Sequence, residues 1–174
     1  MSTRAGIGWD SHRLEAGESL VLGGVEIDHE TGLIGHSDAD VLTHAVIDAL
    51  LGACSMGDIG MWFPDSDDEF RGADSMALLR VIVGEAEARG FTVVHCDTTV
   101  ILERPRLGDY RDDMRSSLAS GLRVPFDAVN VKATTGEGMG FIGREEGCAA
   151  MAVVTVEAGE GVGDELDDLS DFVS

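Results

Sequence analysis

Positive charge is scarce in this sequence, and lysine is nearly absent. Among 174 residues, 12 Lys and Arg stand against 33 Asp and Glu, so the formal net charge is −21, and Lys132 is the only lysine. An acidic excess of this size repels other polyanions, which argues against a nucleic-acid or anionic-membrane partner. It is typical of a protein adapted to a high-salt cytoplasm, where counterions screen self-repulsion, although an acidic protein from an ordinary cell has the same composition.

Cysteines and long apolar runs are few as well. Cys54, Cys96 and Cys148 are odd in number and scattered, which predicts reduced, mostly buried thiols instead of a disulfide framework or a thiolate zinc site. No apolar run approaches the ~20 residues of a membrane span, and the N-terminal segment lacks the apolar core of a secretory signal. With 44% hydrophobic residues, we expect a globular cytoplasmic protein.

Alternating strand and helix patterns predict one two-layer α/β domain. The strand patterns are RAGIGWD, SLVLGGVEI, FTVVHCDTTVILE, AVNVKATT and GCAAMAVVTVEA. The second of these is expected to be a hairpin about Gly23 and Gly24, and the other four to form a mixed four-stranded sheet. We expect the domain to span residues 1–158, followed by an acidic, disordered tail at 159–174.

Three helical patterns lie between the strands, and we expect them to cover one face of the sheet. The first begins at Ser37, which forms a capping-box pattern with Asp40. The second is capped at Asp74 and ends at Gly90, and the third is DYRDDMRSSLASGL. The cap of the first helix does not require the histidines of GLIGHSDADVLTHAVIDALLG, so these need another explanation.

Possible metal ligands come from the first strand and the first helix. Asp10 and His12 are two residues apart on a strand, so their side chains project to the same face. His44, on a helix packed over that strand, would complete an Asp/His/His site for zinc with one open position. Asp40 and Asp48, one turn either side of His44, could orient its imidazole. Alternatively, the DxH pattern has no ligand and His44 is a surface residue paired with Asp48.

A glycine-rich segment, VNVKATTGEGMGFIGREEG, follows a predicted strand. Glycines let backbone N–H groups approach an anion, and threonine hydroxyls add donors. Lys132 and Arg144 could supply positive charge, and a hard cation such as Mg²⁺ would reconcile Glu137 with a phosphate. Alternatively, the segment is a glycine-rich hairpin without a ligand.

Six ordered segments resemble the 2-C-methyl-D-erythritol 2,4-cyclodiphosphate synthase family of the non-mevalonate isoprenoid pathway: GWDSH, GLIGHSDADVLTHAVIDALLGA, MGDIGMWFPDSD, RGADS, VNVKATT and GFIGREEG. The resemblance runs from Gly6 to about Glu157. It implies a homotrimer with active sites between neighbouring subunits. It also implies that the 2-phosphate of 4-diphosphocytidyl-2-C-methyl-D-erythritol 2-phosphate attacks the β-phosphorus, forming a cyclic diphosphate and releasing CMP.

The resemblance further implies roles for individual residues. Asp10, His12 and His44 would hold one Zn²⁺ per subunit, and Glu137 a second divalent cation, Mg²⁺ or Mn²⁺. His36 and Thr135 would stabilise the transition state. The implied substrate contacts are Ser37, Asp58, Ile59, Gly60, Phe63, Pro64, Asp65, Ser66, Asp67, Thr134, Phe141 and Arg144, with residues 63–67 as a flexible flap. The implied cytidine contacts are Leu102, Glu103, Arg104, Pro105, Arg106, Leu107 and Gly108.

Some positions depart from the family pattern. Arg104 and Arg106 stand where fewer arginines are expected, and we expect Arg106 to pair with a phosphate and Arg104 to offset local acidity. Glu145 replaces a small residue near the implied threefold axis, and Gly136 loosens the diphosphate loop. Two other functions remain open: a nucleotide-binding module without chemistry, and a metal-dependent phosphohydrolase in which the metal activates water.

Overall fold

The computed structural model describes residues 2–64, 66–67, 71–160 and 162. In this part of the chain the strands are β1 (Ser2–Ala16), β2 (Leu20–Leu22), β3 (Val25–Ile27), β4 (Thr31–Ile34), β5 (Phe91–Ile101), β6 (Val129–Thr134) and β7 (Gly147–Ala158). The helices are α1 (Val41–Ala53), α2 (Ile59–Trp62), α3 (Ser75–Ala88), α4 (Arg111–Leu122) and α5 (Gly140–Gly143).

The main sheet is mixed and five-stranded, in the order β4-β1-β7-β5-β6. All its pairs are antiparallel except β5–β6, whose parallel connection contains α4, as parallel pairs need a crossover. The prediction of four strands is wrong by one, because β4 (Thr31–Ile34) lies in a segment to which no strand pattern was assigned. β4 is too short to show an alternation of its own, and it forms because the C-terminal end of β1 pairs with it, from Arg13 to Ala16.

The predicted hairpin of β2 and β3 is confirmed. Gly23 and Gly24 connect the two strands with φ of 59° and 73°. Two consecutive positive φ values are what a tight two-residue hairpin turn requires, and glycine adopts them without strain.

Helices cover one face of the sheet, as predicted, and leave the other face open. In β7, alternate residues from Ala150 to Val156 are buried under the helices. On the opposite face four large apolar side chains are exposed, between 41% and 66% of their surface: Ile7, Trp9, Met151 and Val153. A single subunit therefore presents an uncovered apolar sheet face, the kind of patch that marks an interaction surface.

Two glycines of β1 allow α1 to lie directly against the strand. A Cβ atom on Gly6 would lie 2.1 Å from the carbonyl oxygen of Ala49, and one on Gly8 would lie 1.9 Å from that of Ala45. Any side chain at either position would push the helix away. This close packing brings His44, on α1, over the end of the same strand.

The helix boundaries confirm two predictions and correct one. α3 is capped by Asp74 and α4 lies in the predicted segment. α1, however, begins at Val41 and not at Ser37, because Asp40 is itself the N-cap and accepts a hydrogen bond from Thr43 N. Ala39, at φ 57°, cannot belong to a right-handed helix.

The three cysteines are free and buried, as predicted. Burial raises the pKa of Cys54 to about 11 and those of Cys96 and Cys148 to about 12, so these thiols stay protonated and unreactive at neutral pH. Among the described residues no helix is both long and apolar enough to cross a membrane. The prediction of a disordered tail falls largely on residues 161 and 163–174, which lie outside the described residues.

Candidate metal centre and substrate site

Three side chains converge at the end of β1. Asp10 Oδ2 lies 2.9 Å from His12 Nε2 and 3.1 Å from His44 Nδ1, and the two ring nitrogens are 3.2 Å apart. Ligand atoms about 2.0–2.1 Å from a tetrahedral zinc ion lie about 3.3 Å from one another. The donor set of two imidazoles and one carboxylate and its spacing therefore fit a zinc ion that retains an open position.

Hydrogen bonds fix which nitrogen of each ring faces the centre. His12 Nδ1 lies 3.2 Å from the carbonyl oxygen of Ile34, so it carries the proton and leaves Nε2 free. His44 Nε2 lies 2.8 Å from Ser75 Oγ and 3.0 Å from Ser37 Oγ, which leaves Nδ1 free. Partners of this kind set the tautomer and the ring orientation of metal-binding histidines.

The charges of the cluster favour an ionised carboxylate. Burial raises the pKa of Asp10, but the hydrogen bonds and charges of His12 and His44 outweigh it and hold that pKa well below its usual range. Burial lowers the pKa of His12, and the adjacent Asp10 outweighs it and raises that pKa. Asp10 is thus kept in the anionic form that binds a cation.

The suggestion that Asp40 or Asp48 orients His44 is wrong, because their carboxylates are used elsewhere. Asp40 is fully buried and accepts hydrogen bonds from the backbone N–H groups of both hairpin glycines and from Thr43. Asp48 accepts a hydrogen bond from Ile59 N at 2.8 Å.

Ser75 orients the His44 ring instead, and Asp38 holds Ser75 in place. The Asp38 carboxylate accepts hydrogen bonds from the hydroxyl and the backbone N–H of Ser75, so the serine oxygen is free to accept from His44. In the sequence, RGADS is recognisable only as a family motif and as the start of a helix. Only the presence of a hydroxyl at the first position of α3 could have signalled this role.

Replacing Ser75 with alanine should weaken zinc binding by about 10- to 100-fold. This is the usual cost of removing a residue that hydrogen-bonds to a metal ligand. The reason is that His44 Nε2 would lose the nearer of its two hydroxyl partners and keep only Ser37. Zinc affinity is measured by competition with a chelator, with Ser116→Ala on the exposed side of α4 as the matched control. Equal affinities in the two variants would contradict this role.

The metal ligands line a cavity of about 400 Å³ together with several predicted substrate residues. Those predicted residues are His36, Ser37, Ile59, Gly60 and Phe63. Asp58 caps the adjacent α2 by accepting from Met61 N. His36 contacts the predicted flap, since its Nε2 lies 3.2 Å from the carbonyl oxygen of Asp67. The backbone carbonyl of His36 also accepts a hydrogen bond from Gly72 N. Asp65 lies outside the described residues.

The predicted cytidine contacts line a second cavity, of about 850 Å³. All of residues 102–108 line it, with Thr134 and Thr135. His29 and Arg111 line it too; neither was predicted, because no motif marks either position. Arg104 Nε lies 3.5 Å from Glu145 Oε1, so this arginine does offset a neighbouring acid.

The described part of one chain does not bring all the predicted residues together. The two cavities share no lining residue. Phe141 lines a third, smaller cavity beside His12, and Arg144 forms two hydrogen bonds with Glu146, at 3.0 and 3.1 Å. In the described part of the chain, the predicted residues are therefore divided among three cavities and the surface beside them.

These features define a two-layer α/β subunit with an Asp/His/His metal centre and a separate nucleotide-sized cavity. Residues 3–157 match the family model described as the YgbB family. A 2-C-methyl-D-erythritol 2,4-cyclodiphosphate synthase from Salinibacter ruber is 54% identical over 155 residues, which cover 89% of this chain and 99% of the relative. The synthase from Syntrophus aciditrophicus is 55% identical over 154 residues, 88% of this chain and 97% of the relative.

Solved structures agree. A structure titled as this synthase in its CDP-bound form has a TM-score of 0.82 and 40% identity over 88% of this chain and 100% of its own. The bifunctional IspDF from Campylobacter jejuni has a TM-score of 0.87 and 40% identity, over 91% of this chain and 43% of that longer chain. The chain belongs to the YgbB family of 2-C-methyl-D-erythritol 2,4-cyclodiphosphate synthases, enzymes of isoprenoid precursor biosynthesis.

Proposed function

We propose that the protein performs the family's cyclisation in a site assembled between neighbouring subunits of a homotrimer. The observation that carries the proposal is the convergence of Asp10, His12 and His44 on one point of a cavity that also contains His36 and Ser37. In the reaction an oxygen of the substrate's 2-phosphate bonds to the β-phosphorus, the bond from that phosphorus to the CMP oxygen breaks, and CMP leaves with the electron pair.

Two divalent cations belong to this site. Zn²⁺ would be held by Asp10, His12 and His44, and Mg²⁺ or Mn²⁺ by the exposed carboxylate of Glu137, since a hard cation prefers oxygen ligands. Bound there, they would neutralise phosphate charge and supply Lewis-acid chemistry.

The protein's own residues bind and position the substrate. The attacking phosphate is already an anion, so the reaction needs little general acid or base, and alignment contributes at most about 7–11 kcal/mol. His36 and Ser37 contact one phosphate, and the hydroxyls of Thr134 and Thr135 donate to the diphosphate. Because the chain is strongly acidic, Arg106 in the second cavity adds local positive charge.

The remaining predicted contacts divide between the two cavities. Residues 58–60 bind the methylerythritol, residues 63–67 cover it, and residues 102–108 bind the cytidine largely through backbone groups. The CDP-bound title of a relative 40% identical to this chain supports a cytidine ligand. Phe141, which lines the third cavity, and Arg144, which follows it closely in the chain, complete the site.

The trimer is supported by two features of the subunit. The apolar sheet face of Ile7, Trp9, Met151 and Val153 is exposed in one chain, and burying it against copies of itself would remove apolar surface from water. The two cavities share no residue, so neighbouring subunits can each contribute one to the same site. We expect residues 1–158 to form the whole domain, in a cytoplasmic enzyme.

The experiment is incubation of the full chain with 4-diphosphocytidyl-2-C-methyl-D-erythritol 2-phosphate. We expect CMP and a cyclic diphosphate in equal amounts, loss of both after chelation, and recovery when zinc and magnesium are restored. A linear phosphate product would instead indicate a phosphohydrolase, and nucleotide binding without CMP release would indicate a binding module.

A further inference from the structure

The side chain of Glu103 connects the two segments that follow β5 and β6. Its Oε2 accepts a hydrogen bond from Gly136 N at 2.9 Å, and its Oε1 accepts from Gly138 N at 3.3 Å. β5 and β6 are parallel neighbours, and the pairing extends beyond β5 because Leu102 N donates to Thr134 O. Glu103 therefore lies between the cytidine cavity and the loop that carries Glu137.

This loop has a backbone conformation that needs support. Glu137 has φ of 54° and Gly138 has φ of 73°. The left-handed region is sterically strained for a non-glycine residue, and such a residue persists only when its surroundings hold it. The N–H of Glu137 donates to Thr135 Oγ1 at 3.2 Å, so Glu103 and Thr135 together accept all three N–H groups of residues 136–138.

The glycine-rich sequence predicted an anion-binding site made of backbone N–H groups, and these N–H groups form it. The anion that they bind, however, is a carboxylate of the protein itself. Consecutive backbone N–H groups in such turns commonly bind a phosphate or a carboxylate. In this loop the N–H groups of Gly136 and Gly138 bind the carboxylate of Glu103. The Glu137 side chain is exposed to solvent. A phosphate can therefore not use the amides of Gly136 and Gly138 without displacing Glu103.

We propose that Glu103 is a positioning residue that holds residues 135–138 in the shape required to bind the substrate's diphosphate and the second divalent cation. The inference rests on the proposed function and deepens it. Glu103 acts through the loop: its carboxylate sets the direction of Glu137 and the Thr135 hydroxyl, while its backbone forms part of the cytidine cavity. The diphosphate is then bound by hydroxyls and by the cation at Glu137, not by the glycine amides.

The test compares Glu103→Gln and Glu103→Ala with Glu85→Gln, which makes the same charge change at a partly exposed position of α3, far from the loop in sequence. The glutamine amide keeps one acceptor oxygen and alanine keeps none, so the effects should be graded. Displacing reacting groups by about 1 Å can cost 10²-fold, so we expect kcat to fall about 10-fold in Glu103→Gln and about 100-fold in Glu103→Ala. More Mg²⁺ should be needed for half-maximal rate, whereas the Kd for CMP should change less than about twofold.

Two measurements do not depend on activity. Hydrogen exchange of the Gly136 and Gly138 amides, followed by NMR, should be at least about tenfold faster in Glu103→Ala than in wild type. Mn²⁺ binding in the presence of an inert diphosphate, followed by electron paramagnetic resonance, should weaken in the same order. Glu85→Gln should match wild type in every measurement.

The proposal is overturned if exchange and Mn²⁺ binding are unchanged in both variants, or if CMP affinity falls as much as kcat. The second result would mean that Glu103 serves only the cytidine cavity. An inactive wild-type protein would refute the proposed function, and the exchange and Mn²⁺ measurements would still decide the role of Glu103. If Glu103→Ala does not fold, the Glu103→Gln variant carries the same comparisons.

Discussion

Replacing His44 with alanine is expected to abolish stoichiometric zinc binding and CMP release. Catalytic zinc sites have three protein ligands and an open position, and His44 Nδ1 is one of the three donor atoms that the described residues bring together at the end of β1. Removing a residue that only hydrogen-bonds to a metal ligand already lowers metal affinity about 10- to 100-fold. The loss of a ligand itself should therefore lower zinc affinity more than about 100-fold. Zinc per subunit is measured by elemental analysis after dialysis.

The matched control is His95→Ala, which removes an exposed imidazole of β5. It should retain one zinc per subunit and full activity. His44→Gln preserves most of the side-chain volume and separates the loss of a ligand from the loss of packing, because His44 is largely buried. Retention of one zinc per subunit in both His44 variants would refute the ligand assignment.

Replacing Val153 with aspartate is expected to convert the proposed trimer to monomers and to eliminate activity. Val153 is 41% exposed in the single chain, in the middle of the uncovered sheet face. A carboxylate buried without a partner at an interface costs several kcal/mol, and the threefold symmetry of a trimer repeats that cost in every subunit. Activity should fall with the trimer because, in the proposed function, the substrate contacts residues of two neighbouring subunits.

Val81→Asp is the matched control, because Val81 is 51% exposed on α3, away from the sheet face. It should remain trimeric and active. Mass in native buffer, by light scattering after size exclusion, distinguishes the states. A trimeric, active Val153→Asp variant would rule out this face as the interface.

Much of the fold was predictable because it depends on local periodicity. The strand period of two places Asp10 and His12 on one face, and the buried alternation of β7 is readable from its sequence. The cap at Asp74 and the hairpin at Gly23 and Gly24 are local too. These features depend on residues a few positions apart, so chain geometry alone determines them.

The features that the sequence did not predict depend on contacts between residues that are far apart in the chain. β4 exists because β1 pairs with it, and Asp40 caps α1 while also binding the hairpin glycines. Ser75 reaches His44 across 31 positions, and Glu103 reaches Gly136 across 33. A side chain with several possible acceptors or donors takes the one that packing brings near, and no local pattern encodes that choice.

The sequence by itself determined the donor types, two imidazoles and a carboxylate, and the strand and helix that carry them, because these follow from residue chemistry and backbone period. Only the tertiary structure decided which ring nitrogens face the centre and which anion fills the glycine-rich loop. The physical reason is that both choices are made by hydrogen bonds to Ile34, Ser75 and Glu103. Those partners come within reach only once the sheet has formed and the helices have packed on it.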